Sequence, residues 1–391
     1  MHVAGRIIGL PALEGAAVSL RPPAILLTAS LILAPLVVAA APLPHFAQPN
    51  AIWNQDVSGA TLRPNSAAMM THLEALATTI RGSDCFAPGT GSGCWGDTRI
   101  FNFQLDISFY VLHAAQATTT RAIVENSGYY APDCEAAGFP FPVPVGGGIE
   151  GTGPPPSYTC NAKNDDCHLL VVNDDTNILY EAYNVSKADA TGVHALCGLS
   201  WDLTRVYPRY GRGEHCTSAD AAGFPMAPLL LNADEVWAAA QSNGDIGHAI
   251  RFILGNNRMA ASLYVHPASH GIKDFTTDAD PNAVPYGSQL RLKSTFNVDG
   301  FSSNPAIRAI LRSLQKYGMF LSDGGGVPVS AESDYYTTHK WDDADVNIDS
   351  HSLFGIRPTD FEVVEAGDPM TVSYDCVRTP DDFLFIDGYD F

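Results

Sequence analysis

Eight cysteines constrain the fold of this 391-residue chain more than any other feature of its sequence. An even number of cysteines in an exported chain is typical of a disulfide framework. No spacing matches the paired CxxC or CxxH pattern of a structural zinc site. Many connectivities are open to eight cysteines, but short loops close at the lowest entropic cost. Sequence proximity therefore favours the pairs Cys85–Cys94, Cys160–Cys167 and Cys197–Cys216, which leaves Cys134 with Cys376.

The N-terminus has the layout of a secretory signal. Residues 24–41 form an apolar run that follows Arg6 and Arg21 and ends in small residues before Pro42. This layout predicts a cleaved signal peptide over residues 1–41. An uncleaved anchor is the alternative, because about 18 apolar residues nearly span a bilayer, but the alanines at the end of the run favour cleavage. We therefore expect a secreted, extracellular protein with no membrane association after cleavage.

Acidic residues dominate the charge of the chain. There are 42 Asp and Glu against 22 Lys and Arg, which gives a formal net charge of −20. A field of this sign repels phosphate backbones and acidic glycans, so we expect no nucleic-acid partner. The sequence contains no P-loop and no GxGxxG after a predicted strand, which argues against nucleotide cofactors. A neutral or cationic ligand is easier to accommodate.

Short alternating segments between Gly and Pro turns indicate a mainly β fold. Runs of alternating apolar residues, with β-branched and aromatic types, predict strands within 100–114, 167–173 and 286–298. Capping residues and apolar spacing predict helices over 66–82 and 304–318, with a shorter one after Asn232. Many strands and two or three peripheral helices favour a β-sandwich or jelly-roll-like fold over a doubly wound sheet.

The same patterns divide the chain into three parts. The signal peptide over 1–41 precedes an extended and helical segment over 42–96, and a β-rich domain covers 97–391. Within that domain, residues 128–160 are dense in Gly and Pro and are predicted to form a surface loop or lid.

Polar side chains suited to catalysis are concentrated in residues 197–270. Glycoside hydrolysis needs a carboxylic acid and a carboxylate on either side of the scissile bond, and a histidine can act as a general base. Each carboxylate also has a local alternative, such as an ion pair, a turn or the first turn of a helix. Asp323, before three glycines, is a further carboxylate with a turn as its alternative. The predicted catalytic residues are Asp202, Asp220, Glu235, His248 and His266.

Aromatic and basic residues near these groups are candidates for substrate binding. Aromatic rings can stack against sugar rings, and basic side chains on one strand face can grip a substrate carboxylate. The predicted substrate-binding residues are Trp201, Tyr207, Arg251, Tyr264, His270, Arg291 and Lys293.

The sequence assigns no metal ligand and no cofactor to the site. Pro267 argues against a helix that would place His266 and His270 on one face. Their spacing therefore does not predict that both bind one metal ion. A structural Ca²⁺ is the one cation considered, because acidic loops at 174–175 and 278–280 could hold it through oxygens. Neither loop has the spaced pattern of an EF-hand, and solvated turns also explain them.

Several segments resemble a large group of secreted, mostly bacterial proteins of unassigned function. They are WDLTRVYP, TSADAAGFPMAPLLLNADEV, HAIRFIL, YVHPASH, PYGSQLRLKSTF and KYGMFLSDGG. The resemblance covers about residues 197–326. It implies that this region is a unit and that the protein is exported, and it implies no activity.

Acidity, export and aromatic content together favour a carbohydrate-active enzyme. The leading prediction is a glycoside hydrolase that acts on a neutral polysaccharide or oligosaccharide through paired carboxylates. A polysaccharide lyase that uses His266 or His248 with Tyr264 and a Lys/Arg grip is the second hypothesis. A non-catalytic glycan- or wall-binding protein is the third, and a metal-dependent hydrolase is the fourth.

Overall fold

The chain is mainly β, with 29% of its residues in strands and 16% in helices, which confirms the predicted class. The computed structural model describes residues 43–81, 95, 103–114, 117–125, 130–273 and 277–378. The predicted signal peptide and the Cys85–Cys94 pair lie outside the described residues. In the part of the chain that the structure describes, no helix combines the length and hydrophobicity of a transmembrane span.

The predicted helices are present and begin at the expected caps. The Asn232 side chain accepts the Asp234 N–H at 2.8 Å, while Glu235 accepts the Asn232 N–H, which completes a capping box. Gly318, with φ +70°, follows the last long helix. The α-helices of the described residues are α1 (Ser66–Arg81), α2 (Ala233–Gln241), α3 (Val298–Phe301) and α4 (Pro305–Lys316).

Nineteen strands are present in the described residues, and most are short. They are β1 (Leu105–Phe109), β2 (Val111–His113), β3 (Thr118–Glu125), β4 (Pro140–Pro144), β5 (Leu169–Asn173), β6 (Ile178–Tyr183), β7 (Lys187–Asp189), β8 (Gly192–Ala195), β9 (Cys197–Asp202), β10 (Gly213–Glu214), β11 (Ile250–Leu254), β12 (Met259–Tyr264), β13 (Val284–Tyr286), β14 (Gln289–Leu292), β15 (Met319–Gly324), β16 (Val329–Glu332), β17 (Phe361–Val363), β18 (Met370–Thr371) and β19 (Val377–Arg378).

The strands form five sheets that mix parallel and antiparallel pairs. The six-stranded sheet has the order β1-β16-β11-β15-β14-β17, and α4 lies between the parallel neighbours β11 and β15 in sequence. Two four-stranded sheets have the orders β2-β5-β6-β9 and β4-β3-β8-β7. The remaining sheets are β13-β12-β18 and β10-β19. The six-stranded sheet thus combines parallel pairs with antiparallel neighbours that are separated by other elements in the sequence.

The Gly- and Pro-rich residues 128–160 do not form only a loop, because they contain strand β4. Its three prolines, at 140, 142 and 144, alternate with Phe141 and Val143, whose N–H groups remain available for pairing with β3. A proline is tolerated at such positions of an edge strand, and β4 is at the edge of its sheet. The sequence-based prediction missed this strand because it considered how many prolines there are and not that they occupy every second position.

One large core surrounds the six-stranded sheet, and a smaller one lies within the remaining strands. Trp53, Met69 and Leu73 belong to the large core, so the described part of the 42–96 segment packs with residues far along the chain. Phe141 and Val171 are among the residues of the smaller core.

Three disulfides are present in the described residues, and one of them was predicted. Cys160–Cys167 is confirmed, but Cys134 pairs with Cys197 and Cys216 pairs with Cys376, so the other two predicted pairs are wrong. Strand β19 pairs with β10, and this register places Cys376 beside Cys216. Strand pairing overrides loop-closure entropy here, since that disulfide spans 160 positions.

Peptide mapping without reduction should recover the Cys134–Cys197 and Cys216–Cys376 peptides. Replacing Cys134 and Cys197 with serine should lower the free energy of unfolding by about 4 kcal/mol, because the loop they close is long. The matched control is the serine double variant of Cys160 and Cys167, whose short loop predicts a loss of about 2 kcal/mol. Recovery of a Cys197–Cys216 peptide from native protein would contradict the pairing.

Candidate functional site

A cavity of about 510 Å³ lies among loops and strand ends of several sheets. Three of the residues that line it are carboxylates, namely Asp133, Asp166 and Asp323, and none of its described lining residues is Lys or Arg. Because like charges disfavour one another's ionisation, such a group of carboxylates is suited to hold one of its members in the neutral form.

Asp323 comes from the end of β15, a strand in the middle of the six-stranded sheet. Its Oδ1 accepts the Gly324 N–H at 2.6 Å. The pKa of the carboxyl is raised to about 7, mainly because the surrounding protein removes it from solvent. The negative charges of Asp220 and Asp166 contribute to this rise, and the charge of Arg251 opposes it. Asp323 can therefore donate a proton near neutral pH.

Asp166 supplies an exposed carboxylate to the same cavity. It directly precedes Cys167, whose disulfide to Cys160 fixes the loop, and its carbonyl accepts the Asn184 N–H at 3.0 Å. Since its charge acts on Asp323, the two carboxyls are close enough to interact electrostatically. The cavity thus brings together an exposed carboxylate and a desolvated carboxyl.

Tyrosine rings and a neutral histidine complete the cavity wall. Tyr130 and Tyr183 meet edge to face at 6.1 Å, and Tyr374 stacks on His270 at 5.3 Å. His270 Nδ1 lies 2.8 Å from the Ala221 carbonyl, which only accepts, so this nitrogen carries the hydrogen. Burial lowers the pKa of His270, and its Nε2 is left as a lone-pair donor.

A buried ion pair lies behind Asp323. Arg251 on β11 binds Asp220 through two hydrogen bonds, from Nη2 to Oδ1 at 2.8 Å and from Nε to Oδ2 at 3.1 Å. Its Nη1 donates to Ser330 Oγ on β16 at 2.5 Å. Both charged residues are fully buried, and neither is among the residues that line the cavity. They fix the surroundings of Asp323, whereas the sequence-based prediction gave Asp220 a catalytic role and Arg251 a substrate-binding role.

A second buried pair lies beside the first. His168 Nδ1 is 2.5 Å from Glu150 Oε2, and His168 Nε2 is 3.0 Å from the Ala219 carbonyl. Burial alone would lower the pKa of His168, but the charge and hydrogen bond of Glu150 raise it to about 9. Sequence reasoning assigned neither residue, because no pattern in the sequence indicates that Glu150 and His168, 18 positions apart, form a pair.

Asp202, Trp201 and Tyr207 lie together at the end of β9, away from the cavity lining. Asp202 binds Arg205 Nε at 2.8 Å, which is the local ion pair that the sequence offered as its alternative. Trp201 is only 1% exposed and donates to Glu181, so it cannot stack on a ligand. The Tyr207 hydroxyl accepts the Asp202 N–H at 2.8 Å.

The other predicted residues are also held by partners outside the cavity. The Tyr264 hydroxyl donates to Glu214 at 2.5 Å, and His266 Nε2 lies 3.1 Å from the same carboxylate. Arg291 donates to Glu362, and Lys293 donates to the Thr359 carbonyl.

Glu235 and His248 meet, but at a different place. Glu235 binds His45, and the ring of His248 contacts the His45 ring; the sequence-based prediction missed His45. Of the twelve predicted site residues, His270 lines the 510 Å³ cavity. Asp202, Asp220, Glu235, His248 and His266 are not among the residues that line it.

The acidic loops considered for Ca²⁺ have partners within the protein. Asp174 binds His113 at 2.8 Å, and Asp278 binds His72 at 2.5 Å. Asp278 also accepts the N–H of Asp280 at 3.0 Å, which is the local turn expected from the sequence.

Fold and site define a mainly β, disulfide-bonded protein whose loops enclose an acidic, tyrosine-lined cavity. No family model, curated protein or solved structure matches the chain. The position of Asp323 before three glycines made it a candidate carboxylate in the sequence. Nothing in the sequence distinguishes Asp133 and Asp166 from other carboxylates in turns.

Replacing Asp220 with asparagine should lower the free energy of unfolding by about 3–5 kcal/mol, because Arg251 is left buried with an uncompensated charge. Urea denaturation measures the loss. Asp202→Asn is the matched control, since its pair with Arg205 is partly exposed and such pairs contribute about 0–1 kcal/mol. Equal losses in the two variants would contradict the supporting role of Asp220.

The Glu150–His168 pair should make stability depend on alkaline pH. The folded pKa of His168, about 9, exceeds the unfolded value, so the contribution is complete below pH ~6.5 and lost as pH rises through about 9. Urea denaturation across this range should show a steeper loss in the wild type than in His168→Gln. If the free energy of unfolding falls equally with pH in the two proteins, the pair does not cause the pH dependence.

Proposed function

We propose that the protein is a secreted glycoside hydrolase that binds a neutral glycan in the acidic cavity. In this proposal Asp323 is the general acid, and Asp166 is the carboxylate that acts as nucleophile or base. The observation that carries it is that one cavity contains a desolvated carboxyl and an exposed one that interact electrostatically. Environments that push two carboxyls toward different protonation states are the basis of acid and base assignment in such enzymes.

The cavity wall supports a neutral sugar as the ligand. Tyrosine faces pack against sugar rings, and their hydroxyls can bind sugar hydroxyls. A cavity without Lys or Arg among its described lining residues, in a chain with net charge −20, disfavours an anionic substrate. The disulfides of the described residues fit an oxidising compartment outside the cytoplasm.

The chemical step follows from the two carboxyls. Protonated Asp323 donates its proton to the glycosidic oxygen as the bond to the anomeric carbon breaks. Asp166 either attacks the anomeric carbon or removes a proton from the water that does so, and the separation of the two carboxyls sets which. If Asp166 attacks, ionised Asp323 then takes a proton from the water that displaces the sugar from Asp166, which restores both carboxyls. If Asp166 is the base, Asp323 regains its proton from solvent and Asp166 releases its own.

The lyase hypothesis has less support. It requires basic residues that grip a uronate carboxylate, but Arg251 and Arg291 bind carboxylates of the protein, and Lys293 donates to a backbone carbonyl. Tyr264 and His266 share Glu214 and are not among the residues that line the cavity.

A panel of neutral oligosaccharides and polysaccharides tests the proposal by release of reducing ends. Asp323→Asn and Asp166→Asn should each lower kcat/KM by about 100-fold or more, as expected for loss of general acid–base catalysis. Asp202→Asn is the matched control and should keep wild-type activity, because its carboxylate is paired outside the cavity lining. Wild-type turnover in both cavity variants would refute the assignment.

The pH profile separates the role of Asp323 from misfolding. Because Asp323 must be protonated and has a pKa of about 7, kcat/KM should fall as pH rises through that value. A carboxyl whose folded pKa is raised destabilises the fold once it ionises, so Asp323→Asn should be at least as stable as the wild type at pH ~8. Glycan binding without turnover would favour a binding protein, and an unsaturated uronate product would favour a lyase.

A further inference from the structure

Three side chains that are distant in sequence meet at one carboxylate oxygen outside the acidic cavity. His45 Nε2 lies 2.8 Å from Glu235 Oε2, and His248 Nε2 lies 3.2 Å from the same oxygen. The three groups can each offer a ligand atom within 4.8 Å of the others. His45 belongs to the N-terminal segment, Glu235 to the first turn of α2, and His248 precedes β11.

The remaining polar atoms of Glu235 and His248 are held by the backbone. Glu235 Oε1 accepts the Asn232 N–H at 2.8 Å, so Oε2 is the oxygen that faces the histidines. His248 Nδ1 lies 2.7 Å from the Ala249 carbonyl. Since a carbonyl only accepts, Nδ1 carries a hydrogen, and in a neutral ring Nε2 presents its lone pair toward Glu235. Two lone-pair donors at this distance require a proton or a cation between them.

The surroundings of the three groups fit a cation with open coordination positions. The Glu235 and His248 side chains are 4% and 3% exposed, whereas His45 is 23% exposed. A hollow of about 330 Å³ is lined by both histidines together with Asn54 and Gly247. A cation held by the three protein ligands could therefore complete its coordination with water from this side.

We propose that His45, Glu235 and His248 bind one divalent transition-metal ion, with Zn²⁺ as the preferred ion. Two imidazole nitrogens and one carboxylate oxygen form a donor set that zinc uses when it keeps an open position. The carboxylate oxygen lies 2.8 and 3.2 Å from the two nitrogens, and all three donor atoms lie within 4.8 Å of one another. Such a group can share an ion whose bonds are about 2.0–2.2 Å long. The backbone contact of His248 Nδ1 is the outer-shell hydrogen bond that commonly orients a metal-binding histidine. Nitrogen donors also select against Ca²⁺ and Mg²⁺.

The ion would fasten the N-terminal segment to the body of the protein. His45 approaches Glu235 and His248 across the fold, and its ring packs on that of His248 with a centroid distance of 4.3 Å. Anything that binds the folded state selectively stabilises it according to its concentration and affinity. Zinc binding would therefore raise the melting temperature, independently of any activity at the acidic cavity.

Zinc titration of tag-free, chelator-treated protein tests the site. Calorimetry and elemental analysis should give one Zn²⁺ per chain, and Zn²⁺ should raise Tm. His45→Gln should weaken binding by at least about 100-fold, since even outer-shell partners contribute about 10–100-fold. His113→Gln is the matched control: it removes a histidine that lies 2.8 Å from one carboxylate, Asp174, and it should bind zinc like the wild type.

His45→Gln is the decisive variant because it leaves the capping box of α2 intact. Its circular dichroism and Tm without metal should match those of the chelated wild type, which shows that it folds. Co²⁺ in place of Zn²⁺ should give visible absorption bands in the wild type and lose them in His45→Gln. The proposal is overturned if the wild type binds no zinc or binds it no more tightly than His45→Gln. The three side chains would then interact only through hydrogen bonds.

Discussion

The arrangement of the acidic cavity depends on the buried ion pair between Asp220 and Arg251. Arg251 is in the middle of the six-stranded sheet, where both of its neighbouring strands are hydrogen-bonded to β11. A fully buried charge is tolerated only when it is paired and its hydrogen bonds are satisfied. Two bonds to Asp220 and one to Ser330 meet this requirement. The pair therefore fixes the loop that carries Asp220 against the sheet.

The same pair influences the chemistry of Asp323. The charge of Asp220 disfavours ionisation of Asp323, whereas that of Arg251 favours it, and desolvation exceeds both. A carboxyl with a raised pKa destabilises the folded state wherever it is ionised, so Asp323 lowers stability at neutral pH and above. A group of this kind persists when its surroundings are rigid, and the buried Glu150–His168 pair adds rigidity on the neighbouring loop.

Local patterns in the sequence predicted the helices and the strand within 167–173 because their causes are local. Asn232 caps α2 as its sequence context predicted, and Asn304 caps α4. The turn before Asn177 joins the antiparallel strands β5 and β6. The Cys216–Cys376 disulfide depends on pairing between the distant strands β10 and β19. A one-dimensional pattern contains no information on such pairing, so loop length was a poor guide.

Candidate site residues were predicted by chemical type, and type alone could not distinguish a ligand-facing carboxylate from a paired one. Asp220 and Asp202 have the same side chain as Asp166, but an arginine binds each of them. What sets Asp166 and Asp323 apart is the absence of a described lysine or arginine from the cavity lining they share. In a chain with 42 acidic and 22 basic residues, not every carboxylate can have a lysine or arginine of its own, and burial decides which carboxylates have an altered pKa. Burial depends on how the sheets pack together. The raised pKa of Asp323 therefore follows from the position of β15 between its neighbouring strands and could not be predicted from the sequence.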